Sequence, residues 1–216
     1  MALHVPRPPG RRRVPRRATI FVAFCAVASA VGVVAATGTA AASSHRSRPY
    51  MIGDSITAWS EPQLRAVMPS SSRPVIVGAP CRGLVVSCRA TSKDARPPTG
   101  LAVIRALRGR LGRVVVIELG YNDTPGKHAI DKVMKELHRQ HVRRVVWVNL
   151  SERQHTYRAT NRALAAAARR WSELRVLDWR SYSKHHASWF IDDVHLSHKG
   201  RAAFARFVAT GLRLVS

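Results

Sequence analysis

The chain has 216 residues, which is enough for one domain of ordinary size and a short additional segment. Hydrophobic residues make up 46% of it, a share that is typical of globular proteins and excludes an intrinsically disordered chain. The 36 lysines and arginines outnumber 12 acidic residues and give a formal net charge of +24, so we expect association with anionic surfaces. The sequence has no internal repeat or heptad pattern, which excludes solenoids and coiled coils.

The first 42 residues have the pattern of a secretory signal. Six arginines and no acidic residue precede an apolar stretch from Ala18 to Ala36, and a run of small residues follows it. We predict cleavage after Ala42, a short linker over 43–48 and one domain over 49–216. The alternative is an uncleaved anchor in the membrane, because 19 apolar residues lie at the lower limit of membrane-spanning length.

Export changes what the charge and the cysteines indicate. Removal of the first 42 residues leaves 30 basic residues against 12 acidic ones, a formal charge of +18. The expected anionic partner is then an envelope polymer or a phospholipid headgroup, and nucleic acid is not expected. A well-solvated surface in an arginine-rich chain is the alternative explanation of the charge. The domain keeps Cys81 and Cys88, and an oxidising compartment favours a disulfide between them.

Short apolar runs rich in β-branched residues alternate with helical patterns along the domain. The runs predict strands over 50–52, 75–77, 114–119, 145–150 and 176–177. Apolar spacing and helix-forming residues predict helices over 101–111, 130–137, 156–171 and 203–208. This alternation indicates a parallel sheet covered by helices on both faces, with its ligand beyond the carboxyl ends of the strands.

Two loops that follow predicted strands carry candidate catalytic groups. The loop after the first strand contains Gly53, Asp54 and Ser55, and the helix start that follows supplies free N–H groups that favour developing negative charge. The loop after the third strand contains Asn122, whose side-chain amide can donate to an oxyanion. Each motif alone is also typical of an ordinary helix cap or turn.

The loop before the last helix carries a candidate base and its acid. Asp192 lies three residues before His195, so its carboxylate can accept a hydrogen bond from the imidazole Nδ1–H. That bond fixes the tautomer and leaves Nε2 free to take a proton from a serine. Asp193 is the alternative carboxylate.

These motifs, in this order in an alternating α/β chain, resemble those of the SGNH (GDSL-type) hydrolase family. The resemblance extends from Tyr50 to about Val208. It implies a three-layer α/β/α sandwich around a mostly parallel, five-stranded, flavodoxin-like sheet.

The resemblance also implies a role for each motif residue. Ser55 matches the family's nucleophile, and Asp192 and His195 match the acid and base of its triad. The implied oxyanion hole consists of the backbone N–H groups of Ser55 and Gly83 with the side chain of Asn122. No cofactor and no metal ion is implied.

The expected activity is hydrolysis, by an exported serine esterase, of acetyl or other short acyl esters on an envelope carbohydrate or lipid. The alternatives are an O-acyltransferase acting on cell-wall sugars and a cationic envelope-binding protein with a vestigial site. Contact with the membrane is expected only if the N-terminal segment is not cleaved. Glu118, inside an otherwise apolar strand, is expected either to pair with an arginine or to lie near the site, and Trp189 and Phe190 to form core or to line a pocket.

Overall fold

The computed structural model describes residues 48–89 and 91–214. The chain divides after Ala35 into two compact units, and all described residues belong to the second. The predicted secretory segment and the cleavage site after Ala42 lie outside the described residues. No helix within the described ranges is both long enough and apolar enough to cross a membrane.

Five parallel strands form a single sheet, as the sequence predicts. They are β1 (Tyr50–Gly53), β2 (Val75–Gly78), β3 (Val114–Glu118), β4 (Arg144–Val148) and β5 (Leu174–Leu177). Their order across the sheet is β2-β1-β3-β4-β5, which is the flavodoxin-like order. The predicted sheet is therefore confirmed, and every pair of described strands is parallel.

Among the described residues, six α-helices and two 3₁₀ turns connect and cover the strands. The helices are α1 (Ser55–Val67), α2 (Gly100–Ala106), α3 (Lys127–Arg139), α4 (Arg158–Arg170), α5 (Trp179–Ser183) and α6 (His198–Arg213). The 3₁₀ turns are His155–Tyr157 and Ala187–Trp189. Side chains of the residues before the helices cap four of them. Thr99 accepts from Ala102 N–H, Asp178 from Ser181 N–H and Ser197 from Gly200 N–H, each at 3.2 Å, while Asp54 caps α1.

Side chains of the strands alternate between two hydrophobic cores. Helices α2, α3 and α4 cover one face, where Ile52, Ile117 and Trp147 are fully buried. Helices α1 and α6 pack against each other on the opposite face, over residues such as Met51 and Val116. Burial on both faces explains why the strands read as continuous apolar runs.

Two helices are shorter than the sequence pattern predicts. Helix α2 ends at Ala106, and the chain then turns through Gly109, whose φ of 77° favours glycine, although Leu111 stays buried as its position in the pattern implies. Helix α4 begins only at Arg158, because the preceding residues form a 3₁₀ turn.

Candidate active site

Ser55 is the first residue of α1, and only Asp54 separates it from the end of β1. Asp54 caps the helix, because its Oδ1 accepts a hydrogen bond from Ile56 N–H at 2.9 Å. Gly53 leaves the space this turn needs: a Cβ there would lie 1.9 Å from Thr57 Oγ1. The tight strand-to-helix turn thus holds the serine hydroxyl at the carboxyl edge of the sheet.

The loop before α6 brings an imidazole to this hydroxyl across 140 residues of sequence. His195 Nε2 lies 3.1 Å from Ser55 Oγ, and His195 Nδ1 lies 2.7 Å from Asp192 Oδ2. The second oxygen of Asp192 accepts from the backbone N–H groups of Val194 at 2.7 Å and His195 at 2.6 Å. The three side chains therefore form a continuous hydrogen-bonded relay.

The carboxylate of this relay stays ionised over a wide range of pH. Partial burial acts to raise the pKa of Asp192, but hydrogen bonds from the His195 and Val194 N–H groups and from the imidazole outweigh it and lower the pKa. Asp193, the alternative carboxylate, points elsewhere. It lies 3.6 Å from Arg153 Nε and accepts a weak 3.5 Å bond from Gln154.

A tryptophan that the sequence reasoning missed covers the imidazole. The ring of Trp59 lies 4.7 Å from the ring of His195, and the guanidinium of Arg201 lies 5.5 Å from the same tryptophan ring. Trp59 is four residues after Ser55 in α1, so helical spacing places both on one face. That spacing was the signal available in the sequence.

Asn122 lies beside the nucleophile turn and is held by two acceptors. Its Nδ2 donates to the Arg82 carbonyl at 3.0 Å and to Asp54 Oδ2 at 3.4 Å. The amide is thereby fixed near Ser55. Gly83 N–H, by contrast, donates to Ser87 Oγ at 3.3 Å, so it can serve an oxyanion only by leaving this hydroxyl.

The loop that carries Gly83 is fastened at both ends. A disulfide joins Cys81 and Cys88, and Asp123 accepts hydrogen bonds from the N–H groups of Val85 at 2.7 Å and Val86 at 3.1 Å. The disulfide predicted from the cysteine count is present. A Cβ at Gly83 would lie 1.8 Å from the Val86 carbonyl oxygen, so this closed loop has room only for glycine.

Two buried carboxyl groups lie beneath the nucleophile turn. Asp54 and Glu118 are 0% and 2% exposed, and Glu118 Oε2 accepts from Thr57 N–H at 3.3 Å and Thr57 Oγ1 at 2.8 Å. Burial raises the pKa of Asp54 to about 6, and burial together with the charge of Asp54 raises the pKa of Glu118 well above its usual value. The pair therefore retains a proton near neutral pH.

The nearby cation is Arg82, which is 5% exposed. Its guanidinium donates to the carbonyls of Pro98 at 3.0 Å, Gly53 at 3.2 Å and Val77. Burial lowers the pKa of Arg82, and the charge of Asp54 partly opposes that effect.

Glu118 lies near the site, which was one of its two expected roles. Its hydrogen-bond partner is Thr57 instead of an arginine.

A polar cleft of about 470 Å³ lies next to the loop that carries Asp192. Its lining includes Asp193 and four basic side chains, which are Arg153, Arg158, Arg180 and Lys184.

Trp189 does not line this cleft. It is only 9% exposed and stacks on Trp179 in the core, which was one of its two expected roles. Across the described ranges, no three His, Cys, Asp or Glu side chains are grouped as metal ligands.

Comparison with solved structures finds this fold in other proteins. The C-terminal catalytic domain of peptidoglycan O-acetyltransferase A (OatA) of Streptococcus pneumoniae superposes with a TM-score of 0.62 at 19% identity, covering 78% of this chain and 93% of that one. A family 3 carbohydrate esterase of Clostridium thermocellum superposes with a TM-score of 0.57 at 12% identity, covering 76% and 93%. An active-site mutant of a family two carbohydrate esterase of the same organism gives 0.51 at 13% identity, covering 77% of this chain and 63% of that one.

These likenesses concern the fold. No protein-family model matches the sequence, and no curated protein matches it. The chain therefore shares the α/β architecture of an O-acetyltransferase domain and two carbohydrate esterases, as the resemblance to SGNH hydrolases implied.

Proposed function

We propose that the chain is an exported serine esterase that removes acetyl or other short acyl groups from an envelope carbohydrate, with Ser55, His195 and Asp192 as its catalytic triad. The observation that carries the proposal is the relay in which Ser55 Oγ, His195 Nε2, His195 Nδ1 and Asp192 Oδ2 follow one another at 3.1 and 2.7 Å. Such a relay is the arrangement that activates a serine hydroxyl.

Each residue has one task in the proposed reaction. Ser55 Oγ attacks the ester carbonyl while its proton passes to His195 Nε2, and the Asp192 carboxylate stabilises the imidazolium. The Ser55 N–H donates to the oxyanion of the tetrahedral intermediate, and Asn122 Nδ2 joins it by releasing its long 3.4 Å bond to Asp54 Oδ2. Each such donor is worth roughly 3 kcal/mol of barrier. His195 then protonates the departing alcohol, and water cleaves the acyl-enzyme by the same proton transfers in reverse.

Gly83 is the proposed third oxyanion donor. Its N–H is bound to Ser87 Oγ, a neutral acceptor that a negatively charged oxygen can replace. The exchange needs only a rotation or small shift within the disulfide-closed loop. In the free enzyme, Ser87 Oγ then accepts the hydrogen bond that the oxyanion accepts during the reaction.

The nature of the substrate is supported by the surroundings of the triad and by the neighbours. The cleft next to the Asp192 loop is lined by basic side chains with Glu152 and Asp193, and none of the three triad residues lines it. As the neighbouring surface, its polar lining suits a sugar better than a fatty acyl chain. The structural neighbours are named as a peptidoglycan O-acetyltransferase domain and carbohydrate esterases. The disulfide and the predicted secretory segment support a location outside the cytoplasmic membrane.

The second candidate is transfer of the acyl group to a sugar hydroxyl, and the likeness to OatA favours it. The exposure of the base favours hydrolysis instead: the side chains of His195 and Asp192 are 32% and 53% exposed, so water can reach the imidazole, although Ser55 is only 6% exposed. Acetate release in the presence of increasing sugar acceptor separates the two reactions. Hydrolysis predicts constant acetate yield, and transfer predicts acetylated sugar at the expense of acetate.

The test of the proposal uses a chain of residues 43–216 and a short-chain aryl ester. We expect Ser55→Ala and His195→Ala to lower kcat/KM by on the order of a thousandfold or more, because either change breaks the relay. Ser70→Ala and His198→Ala are matched controls, since both side chains are exposed and lie outside the relay. Equal rates in the wild type and both triad variants would reject the proposal.

A further inference from the structure

A second, larger cleft lies at the opposite edge of the sheet from Ser55. It encloses about 840 Å³ and is formed where β1, β3 and β4 begin and where α1 and α6 end. In a parallel sheet those strand beginnings share one edge, and the candidate active site occupies the other. The cleft is therefore separate from the catalytic groups.

Four arginines line this cleft, and we call it the arginine cleft: Arg113, Arg143, Arg144 and Arg213. The first three are held together by the backbone, because the N–H groups of Arg143 and Arg144 donate to the Arg113 carbonyl at 2.9 and 3.0 Å. No acidic residue lines the cleft, and within the described ranges none of the four has an ion-pair partner.

Other arginines of the same chain do find carboxylates. Glu136 alone pairs with Arg105, Arg108 and Arg139, at 3.6, 3.5 and 2.7 Å. The cleft differs from these sites because its four arginines share one space that no carboxylate lines. Four arginines that line one cleft favour a ligand that carries phosphate, because a guanidinium donates two parallel hydrogen bonds to such a group.

Between the arginines the cleft is mostly apolar, with Ser71 and Ser72 as its other polar lining residues. Its lining includes Val67, Met68, Val114 and Ala209. A free phosphate ion is too small for this space and makes no use of the apolar surface, whereas the volume is typical of a site for a larger organic ligand. The lining matches an amphiphile that has an anionic head and an apolar body.

The course of the chain indicates where such an amphiphile is met. Pro49 lines the cleft and immediately precedes β1, so the N-terminal segment joins the domain at this edge. The apolar stretch from Ala18 to Ala36 ends 13 residues before Pro49. The segment predicted to direct export is thus connected to the domain at this cleft, which favours a membrane lipid over a soluble anion as its occupant.

We propose that the arginine cleft binds the anionic headgroup of a membrane phospholipid and holds the domain at the membrane surface with Ser55 facing away from it. Cationic side chains near an anionic bilayer add their attractions, and salt weakens each of them. The orientation presents the candidate active site to polymers outside the membrane. The proposal depends on export and does not depend on the triad.

The test measures co-sedimentation of residues 43–216 with vesicles of phosphatidylcholine, with and without phosphatidylglycerol. This chain lacks the apolar stretch, which would itself bind vesicles, and it keeps every residue of both hydrophobic cores. We expect binding only to vesicles that contain phosphatidylglycerol, with binding lost at high salt. Replacing the four cleft arginines by glutamine should reduce binding about a hundredfold or more.

A matched control variant replaces four other arginines by glutamine, chosen because they are exposed and do not line the cleft: Arg89, Arg96, Arg162 and Arg206. It carries the same net charge as the cleft variant and should retain most of the binding. Equal loss in both variants would show that only net charge matters and would overturn the proposal. So would failure of the wild type to bind, or tighter binding to soluble polyphosphate than to vesicles at equal phosphate concentration.

Aryl-ester hydrolysis is measured on the same samples. The cleft variant should keep the wild-type rate, because its arginines lie at the far edge of the sheet. Absence of hydrolysis in the wild type would count against the proposed esterase and leave the lipid result standing. The two proposals can thus fail separately.

Discussion

Asp54 and Glu118 face each other beneath Ser55 because β1 and β3 pair in register. Gly53 lies opposite Glu118 in the sheet, and Asp54 is the next residue after Gly53. Two carboxyl groups this close and this deeply buried cannot both ionise at low cost. At a pH above the usual carboxyl pKa, both groups are ionised in the unfolded chain. Folding then requires this pair to take up a proton.

This proton uptake sets the direction of a pH effect on stability. The pKa of Asp54 is raised to about 6 in the folded state, so between about pH 4 and 6 the folded chain binds more protons than the unfolded chain. The free energy of unfolding must then fall as the pH rises through this window. The raised pKa of Glu118 extends the fall to higher pH.

Glu118→Gln should remove much of this pH dependence. The amide can accept from Thr57 as the carboxyl does, and it can present an N–H₂ group to Asp54 without needing a proton from solvent. We expect the free energy of unfolding, measured with urea, to be higher in the variant than in the wild type by about 1 kcal/mol or more at pH 8. At pH 4 the difference should be small. Glu61→Gln, on the exposed side of α1, is the control and should leave the wild-type pH dependence in place. A Glu118→Gln variant that is less stable at pH 8 would contradict the buried-proton account.

The sequence predicted the candidate catalytic side chains but not their surroundings. Ser55, Asn122 and His195 stand out because they occur in short motifs next to apolar strands. The contact between Asp54 and Glu118 depends on the strand register, which the sequence does not reveal. The tilted contact between the rings of Trp59 and His195 depends on the position of a loop 136 residues away. Contacts between distant segments are set by packing, so local patterns miss them.

The loop between β2 and α2 is closed by the disulfide and contacts the candidate active site. Its disulfide closes a short ring that contains Arg82, whose carbonyl holds Asn122, and Gly83. Closing a ring of this size stabilises the folded state by about 2.5 kcal/mol in the chain-entropy estimate. The same bond also restricts the loop that carries one candidate oxyanion donor, Gly83, and holds another, Asn122, through the Arg82 carbonyl.

Replacing Cys81 and Cys88 by serine should therefore affect both stability and activity. We expect the free energy of unfolding to fall by about 2 kcal/mol and kcat to fall more than KM rises, because the oxyanion donors lose their fixed positions. Residues 43–216 contain no other cysteine, so reduction of the wild type should reproduce the variant, and the variant should not respond to reductant. Unchanged kcat in the variant would show that Asn122 is positioned without the disulfide.

The sequence predicted which strands and helices exist better than it predicted the residues at which they begin and end. All five strands lie where continuous apolar runs predicted them, because strands buried on both faces leave that pattern. The ends shifted where tertiary contacts decide: β5 begins at Leu174, two residues before its predicted start, through pairing with β4. Pairing of a neighbouring strand is not encoded in the local pattern.

In the whole molecule, the two edges of the sheet have different chemistry. The carboxyl edge combines a hydrogen-bonded relay with buried acids, and the amino edge carries four arginines with no ion-pair partner in the described part of the chain. Net charge read from composition predicted association with anions and gave no location. Only the folded chain separates a candidate catalytic edge from a candidate binding edge.

The central claim is that folding brings Ser55, His195 and Asp192 into one relay, and labelling with a serine-directed fluorophosphonate followed by peptide mapping tests it most directly. Attack by an activated hydroxyl displaces fluoride and leaves the label on that oxygen. We predict a single label on Ser55 in the folded domain, loss of the label in urea, and strong reduction in His195→Ala but not in His198→Ala. Labelling of another serine, or equal labelling of Ser55 in the folded and unfolded chain, would contradict the claim.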